Sequence, residues 1–236
     1  MRVAAIRTRG RGRPGGGEPD VPFGFPAFIE LTGRTVVVIG DGAVRDGKVR
    51  GLLAAGADRV VVLAPGVADG PDLPVDDGRV TVHRRAWEPR DLDDAFLCIA
   101  SSADPGERDE IARAARHRRV LVNVMDDVAN CDFAAPAVVR RGDLAIAIST
   151  GGRSPAAARR LRELLEDRFG PEWEELIEIL RAVREDTLPM LPDLAERSRR
   201  WRAALDLDEA QDLVSGGRGD ELRARLRRRL VQDGVS

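Results

Sequence analysis

Short β-branched runs separated by helical stretches constrain this chain more than any other feature. Thr35 to Gly40 reads Thr-Val-Val-Val-Ile-Gly, and further apolar runs follow at Val60 to Leu63, Val80 to Val82, Phe96 to Ala100 and Val120 to Val124. Most are apolar at every position, which predicts strands covered on both faces, as in a parallel sheet. Between them, helical patterns run through Val44, Val49, Leu52 and Leu53, through 91–95 and through 105–116. Strands that alternate with helices give a layered α/β fold, because each crossover passes over a face of the sheet.

Beyond Asp132 the texture changes. Ala135 to Val139 and Leu144 to Ile148 are short strand-like runs around Arg140-Arg141-Gly142, which predicts a hairpin. A helix follows over 155–168, with Pro155 near its start and Leu161, Leu164 and Leu165 on one face. Residues 172–230 are helical and charge-laced, broken near Pro189, Pro192 and Gly216-Gly217. A chain of 236 residues accommodates one or two packed domains, and these shifts place boundaries near 133 and 170.

Charge and cysteine usage exclude several function classes. The net charge of -2 pulls the chain as a whole onto neither nucleic acid nor an anionic membrane. No apolar run approaches the roughly 20 residues of a membrane helix. The first 25 residues carry Arg2, Arg7, Arg9, Arg11 and Arg13 among glycines and prolines without a signal-like apolar stretch, which predicts a disordered tail. That tail and Arg223 to Arg229 could instead meet nucleic acid, a reading that demands strongly salt-dependent binding. Cys98 and Cys131 build neither a disulfide framework nor a thiolate metal site, which fits a cytoplasmic protein. His83 and His117 share no ligand spacing with each other or with a cysteine, so no metal site is expected. Lys48 is the only lysine in an arginine-rich chain, kept either by chance or for a role.

At Gly40-Asp41-Gly42 a buried strand, closely spaced glycines and a following helix coincide. The free N–H groups and dipole of such a helix start favour a pyrophosphate, while glycines let the backbone approach it. Arg45 stands where a dinucleotide fingerprint wants a small residue, and Leu63-Ala64-Pro65-Gly66 ends the second strand without the carboxylate that binds a ribose hydroxyl. The alternative is a glycine-rich turn of some other α/β fold.

Two polar segments carry chemistry. Asn123-Val124-Met125-Asp126-Asp127 lies at the end of the last parallel strand, where open α/β sheets place their ligand crevice. Asp126 there is either a general base or a turn cap. Ser149-Thr150-Gly151-Gly152-Arg153-Ser154-Pro155 combines hydroxyls, glycines and a cation before a helix, which suits an anion, a helix cap, or both. Arg140, Arg141 and Arg153 around it suit a substrate rich in carboxylates, or are simply solvated.

Over roughly residues 25–170 these pieces resemble one family, the precorrin-2 dehydrogenase and sirohydrochlorin ferrochelatase proteins, found alone or fused to a methyltransferase in sirohaem synthase. The resemblance runs through Phe25-Pro26-Ala27-Phe28, Gly40-Asp41-Gly42-Ala43-Val44, Lys48 and Ala64-Pro65. It is most specific at Val122 to Asp127, Phe133-Ala134-Ala135-Pro136-Ala137 and Ile148 to Pro155. Asp41, Arg45, Gly47 and Ser101-Ser102-Ala103 depart from the family's usual residues, all in the dinucleotide half.

The resemblance implies an α/β fold: a Rossmann-type NAD-binding domain over 26–133, a small α+β dimerisation region over 134–170 and a helical C-terminal domain over 171–236, after the tail of 1–25. It implies a cytoplasmic homodimer with the active site between domains, and a stand-alone protein without the methyltransferase. Its activity would be NAD-dependent oxidation of precorrin-2 to sirohydrochlorin, with Fe²⁺ as a further substrate in bifunctional members, which yield sirohaem. Asp126 matches the family's essential aspartate. Gly40, Gly42, Ala43, Val44, Pro65, Gly66, Ser101 and Ser102 fall at cofactor positions; Asn123, Thr150, Gly151 and Arg153 fall toward the tetrapyrrole. A chelatase-only protein and a non-catalytic NAD(H)-sensing module are the competing readings.

Overall fold

The structure is a computed structural model that describes residues 23–40, 42–66 and 77–231, with the backbone alone at 42–44. Asp41 of the glycine turn and nearly all of the expected N-terminal tail lie outside the described residues. The chain divides into two compact units, Met1–Phe133 and Ala134–Ser236. The boundary expected near 170 falls inside the second unit.

The first unit is built on strands β1 (Thr35–Ile39), β2 (Arg59–Leu63), β3 (Val80–His83), β4 (Leu97–Ala100) and β5 (Leu121–Val124). They form a five-stranded parallel sheet in the order β3-β2-β1-β4-β5. Helices α1 (Gly42–Ala54) and α2 (Pro105–His117) cross between strands. The apolar runs divide by residue parity. Val36, Val38, Val60, Val62 and Ile99 pack with Val49 and Leu52 of α1, while Val37, Ile39, Cys98, Val122 and Val124 pack with Ile111, Ala112 and Ala115 of α2. A strand with a core on each face must be apolar throughout, and this explains the uninterrupted runs. The helical pattern expected over 91–95 is only a 3₁₀ turn at Pro89–Leu92, closed by a reciprocal Glu88–Asp91 capping box. A single buried residue there, Leu92, gives no stripe long enough to hold an α-helix against the sheet.

In the second unit, β6 (Ala137–Arg141) and β7 (Leu144–Ile148) form an antiparallel hairpin. The expected first strand is displaced two residues toward the C-terminus. Arg140 and Arg141 pair with Ala145 and Leu144 instead of forming the turn, which consists of Gly142, at φ 53°, and Asp143. Helix α3 (Pro155–Arg168) buries none of its residues. Helices α4 (Glu172–Thr187), α5 (Leu194–Ala204), α6 (Leu207–Ser215) and α7 (Gly219–Val231) share a core of Leu176, Ile179, Val183, Leu213, Leu222 and Leu226, with Leu144 of β7 against it. Asp193 and Asp206 cap α5 and α6 through their side chains. No helix among the described residues is long and apolar enough to cross a membrane.

Cys98 is fully buried in β4, and this burial pushes its thiol up to about 12 from 9.0. A thiol that holds its proton longer when folded gives a contribution complete below pH 9.0 and lost as pH rises toward about 12. The unfolding free energy should fall along this alkaline limb with a slope approaching about 1.4 kcal/mol per pH unit. Urea titrations across that window should show the limb in the wild type and flatten it in Cys98→Ala.

Candidate active site

The sheet order reverses direction between β1 and β4, so the crossovers leaving these strands depart to opposite sides and open a crevice at their carboxyl ends. Parallel register brings the strand ends into line: Ile39 pairs with Leu63 and Ala100, and Ala100 with Val124. Gly40, Ala64, Ser101 and Met125 therefore lie side by side along one edge. Pro65 and Gly66 follow at the end of β2, Ser102 after β4 and Asp126 after β5.

Gly40 is required there by geometry. It has φ 123°, its N–H donates to the Leu63 carbonyl at 3.0 Å, and a Cβ on it would stand 2.6 Å from the Ser101 carbonyl oxygen. The Ser101 N–H in turn donates to Ile39 O at 2.9 Å. Only a residue without a side chain lets the ends of β1 and β4 close this tightly. Helix α1 begins directly beyond, at Gly42, followed by Ala43 and Val44.

Arg45, where a small residue was expected, is accommodated by burial. Its Nε donates to Asp46 Oδ1 at 2.6 Å, and both side chains are only 6% exposed. Such a pair contributes little net stability but is costly to break from one side. Burial also pushes the Lys48 ammonium, one turn further along the helix, below its ordinary value.

Of the two serines after β4, Ser102 is committed to the turn. Its hydroxyl donates to Glu107 and accepts from the Asp104 N–H, while Trp87 Nε1 donates to the other Glu107 oxygen at 3.0 Å. Asp104 caps α2 by accepting from the Gly106 N–H. The Ser101 hydroxyl has no protein partner among the described residues and is the one free to meet a ligand.

Asp126 has φ 60°, in the left-handed region that costs a non-glycine residue energy, and it is exposed with no partner on its carboxylate among the described residues. Its neighbours hold it in this conformation. Met125 N–H donates to Ala100 O at 2.8 Å and Asp127 N–H to Val124 O at 3.2 Å. The Cys131 thiol donates to Val124 O at 3.0 Å and accepts from the Val124 N–H at 3.2 Å, closing the loop on itself. Burial raises this thiol above its ordinary value.

Asn123, expected to face the tetrapyrrole, is 9% exposed and donates from Nδ2 to Phe133 O at 2.8 Å. Its amide anchors the chain where the first unit ends, and we place it as an anchor. Sequence reasoning missed Cys131 and Arg108, which brace this loop; neither residue type carries a motif that marks such a role.

The second polar loop belongs to the other unit. Thr150 Oγ1 and Ser154 bond reciprocally, at 3.1 Å to the Ser154 carbonyl and 3.2 Å from its N–H, across Gly151 and Gly152 at φ 60° and 75°. Ser154 Oγ accepts from the Ala157 N–H at 3.2 Å and caps α3. The capping reading of this loop therefore holds. Arg153 is exposed and without a partner among the described residues. No group of three or more His, Cys, Asp or Glu among the described residues could hold a metal ion.

A parallel sheet in this order, with a glycine at the switch point and a free carboxylate on the same edge, defines a dinucleotide-binding protein of the Rossmann type. Residues 27–137 match a family profile described as putative NAD(P)-binding, and residues 141–168 match one described as the central part of a sirohaem biosynthesis protein. The siroheme synthase of Xylella fastidiosa (strain M12) is 36% identical over 182 residues, covering 77% of this chain and 38% of that protein. Siroheme synthase 1 of Pectobacterium atrosepticum is 34% identical over 207 residues, covering 88% of this chain and 43% of that protein. The chain thus spans about two-fifths of the length of these relatives. In fold it is similar to the solved structure named SirC, precorrin-2 dehydrogenase, with a TM-score of 0.56 and 23% identity, covering 88% of this chain and 98% of that one. The chain belongs to the sirohaem-biosynthesis family that these profiles and relatives describe.

Replacement of Gly40 by alanine should force β1 and β4 apart. Gly40→Ala should lose on the order of 1–3 kcal/mol of stability and most of its dinucleotide affinity, read by urea unfolding and by titration of NADH fluorescence.

Proposed function

We propose that this chain oxidises precorrin-2 to sirohydrochlorin with NAD as hydride acceptor. The observation that carries this reading is Asp126, the one carboxylate left unpartnered and exposed on the loop beside the switch-point crevice. A dinucleotide fits the residues around it: backbone donors at the start of α1, close backbone approach at Gly40 and the free Ser101 hydroxyl. Gly42, Ala43 and Val44 would lie against the diphosphate, and Pro65 and Gly66 against the adenosine end. Bound there, the nicotinamide supplies the hydride acceptor.

Oxidation removes a hydride and a proton from the substrate. The Asp126 carboxylate is placed to take the proton, and its unpaired state keeps it available as a base. Thr150, Gly151 and Arg153 form the loop that would meet the substrate's carboxylate arms, with Arg153 as the charged contact. In a bifunctional protein Fe²⁺ is a second substrate whose insertion expels two pyrrole protons, and Asp126 would receive these as well. Purified protein should turn over precorrin-2 in the presence of NAD⁺, followed by sirohydrochlorin absorbance. Asp126→Asn should lose about 10²–10⁴-fold in kcat while still binding NADH; full activity in this variant would refute the assignment. Fe²⁺ insertion without NAD⁺ dependence would identify the chelatase-only protein.

We also infer a homodimer formed through 134–170, with 171–236 as the helical domain. The hairpin has only two strands, too few to be stable unsupported. Leu161 and Leu164 of α3 are 44% and 49% exposed and Val138 of β6 is 38% exposed. These side chains make an apolar surface that a second copy would bury. Leu164→Glu should shift the protein from dimer to monomer in analytical ultracentrifugation.

A further inference from the structure

Resting on the proposed reaction, we propose that Arg108 is a positioning residue that locks the turn after β4 and the Asp126 loop into one rigid edge. Arg108 lies on α2, just inside its first turn. Its Nη1 donates to the Ser102 carbonyl at 3.0 Å, which fixes the turn that presents the Ser101 hydroxyl. Its Nε stands 3.3 Å from Asp127 Oδ2, the residue directly after Asp126. The two side chains are 24% and 20% exposed, sheltered enough that water and salt screen the pair only in part.

The same carboxylate is held from a second side. Asn130 Nδ2 donates to Asp127 Oδ2 at 3.0 Å and to Asp109 Oδ1, the neighbour of Arg108 on α2, at 2.7 Å. Arg108 and Asp109 thus grip the loop together, one by charge and one through an amide. Asp126 needs that grip because its left-handed backbone is strained, and strain persists only where the surroundings over-determine it. A planar guanidinium suits this task, since it hydrogen-bonds the Ser102 carbonyl through Nη1 while its charge faces the Asp127 carboxylate, a contact without a hydrogen bond at Nε. The residue touches neither hydride nor proton. It sets the distance between the group that meets the cofactor and the group that takes the proton.

The test compares wild type, Arg108→Ala, Arg108→Lys, Asp127→Asn and the Arg108→Ala/Asp127→Asn double variant as full-length protein. Amide hydrogen exchange at Asp127, Asn130 and Cys131 should quicken about tenfold in Arg108→Ala. The kcat for precorrin-2 oxidation should fall about 10–100-fold, with KM for NAD⁺ changed far less. Guanidinium ion added to Arg108→Ala should restore part of kcat and slow the exchange again. The lysine variant should fall between, and the double variant should be no worse than the poorer single one. Wild-type exchange rates in Arg108→Ala, or strictly additive losses in the double variant, would overturn the proposal. An inactive wild type would refute the proposed reaction instead, and the exchange comparison would still decide the role of Arg108.

Discussion

The close approach of β1 and β4 at Gly40 and Ser101 is the contact on which the rest of the first unit depends. A parallel sheet whose order reverses must leave a gap where its two central crossovers part, and a ligand can enter only there. The gap is useful only if the strand ends themselves stay together. The 2.6 Å clearance that a Cβ at Gly40 would leave to the Ser101 carbonyl shows how little room the ladder allows. Register then carries this closeness outward, to Leu63 on one side and to Val124 on the other. Asp126 is delivered to the crevice by strand pairing, and long-range side-chain contacts from α2 then hold its loop in place.

This dependence explains what the sequence made legible. A strand covered on both faces must be apolar at every position, so the runs at Val36 to Ile39, Val60 to Leu63 and Leu97 to Ala100 mark a parallel sheet in the sequence itself. The carboxyl edge followed, because site residues in such folds sit one or two positions past the last apolar residue of a strand. Elements held by few buried residues were harder to read. The stretch at 91–95 buries Leu92 alone, with Ala95 partly buried beside it, and the start of β6 was set by a Gly142-Asp143 turn that apolar periodicity does not register.

Individual side chains were the least legible, for a physical reason. A polar residue at a strand end can face a ligand or satisfy the backbone of its own loop, and composition cannot distinguish these. Asn123, Ser102 and Thr150 sat at positions that suited a ligand, yet each spends polar atoms on a carbonyl, a carboxylate or a backbone N–H nearby. Arg45 broke the glycine-turn pattern on paper but lies buried beside Asp46, its charge answered by the next residue. Buried polar groups must find partners or pay for desolvation, and in a chain this rich in arginine and acid the partner is often close in sequence.

The same rule, read in reverse, isolates the chemistry. Once the polar groups that brace a loop are accounted for, the Ser101 hydroxyl and the Asp126 carboxylate are what remain along the carboxyl edge of the first unit among the described residues. Asp126 alone among these sits in a strained backbone conformation. The backbone strain costs stability, while the exposed carboxylate is solvated and makes no contact among the described residues that recovers it. The surrounding bonds from Cys131, Asn130 and Arg108 hold the arrangement against relaxation. Their number around a single exposed carboxylate is the strongest physical argument that its position matters to what the protein does.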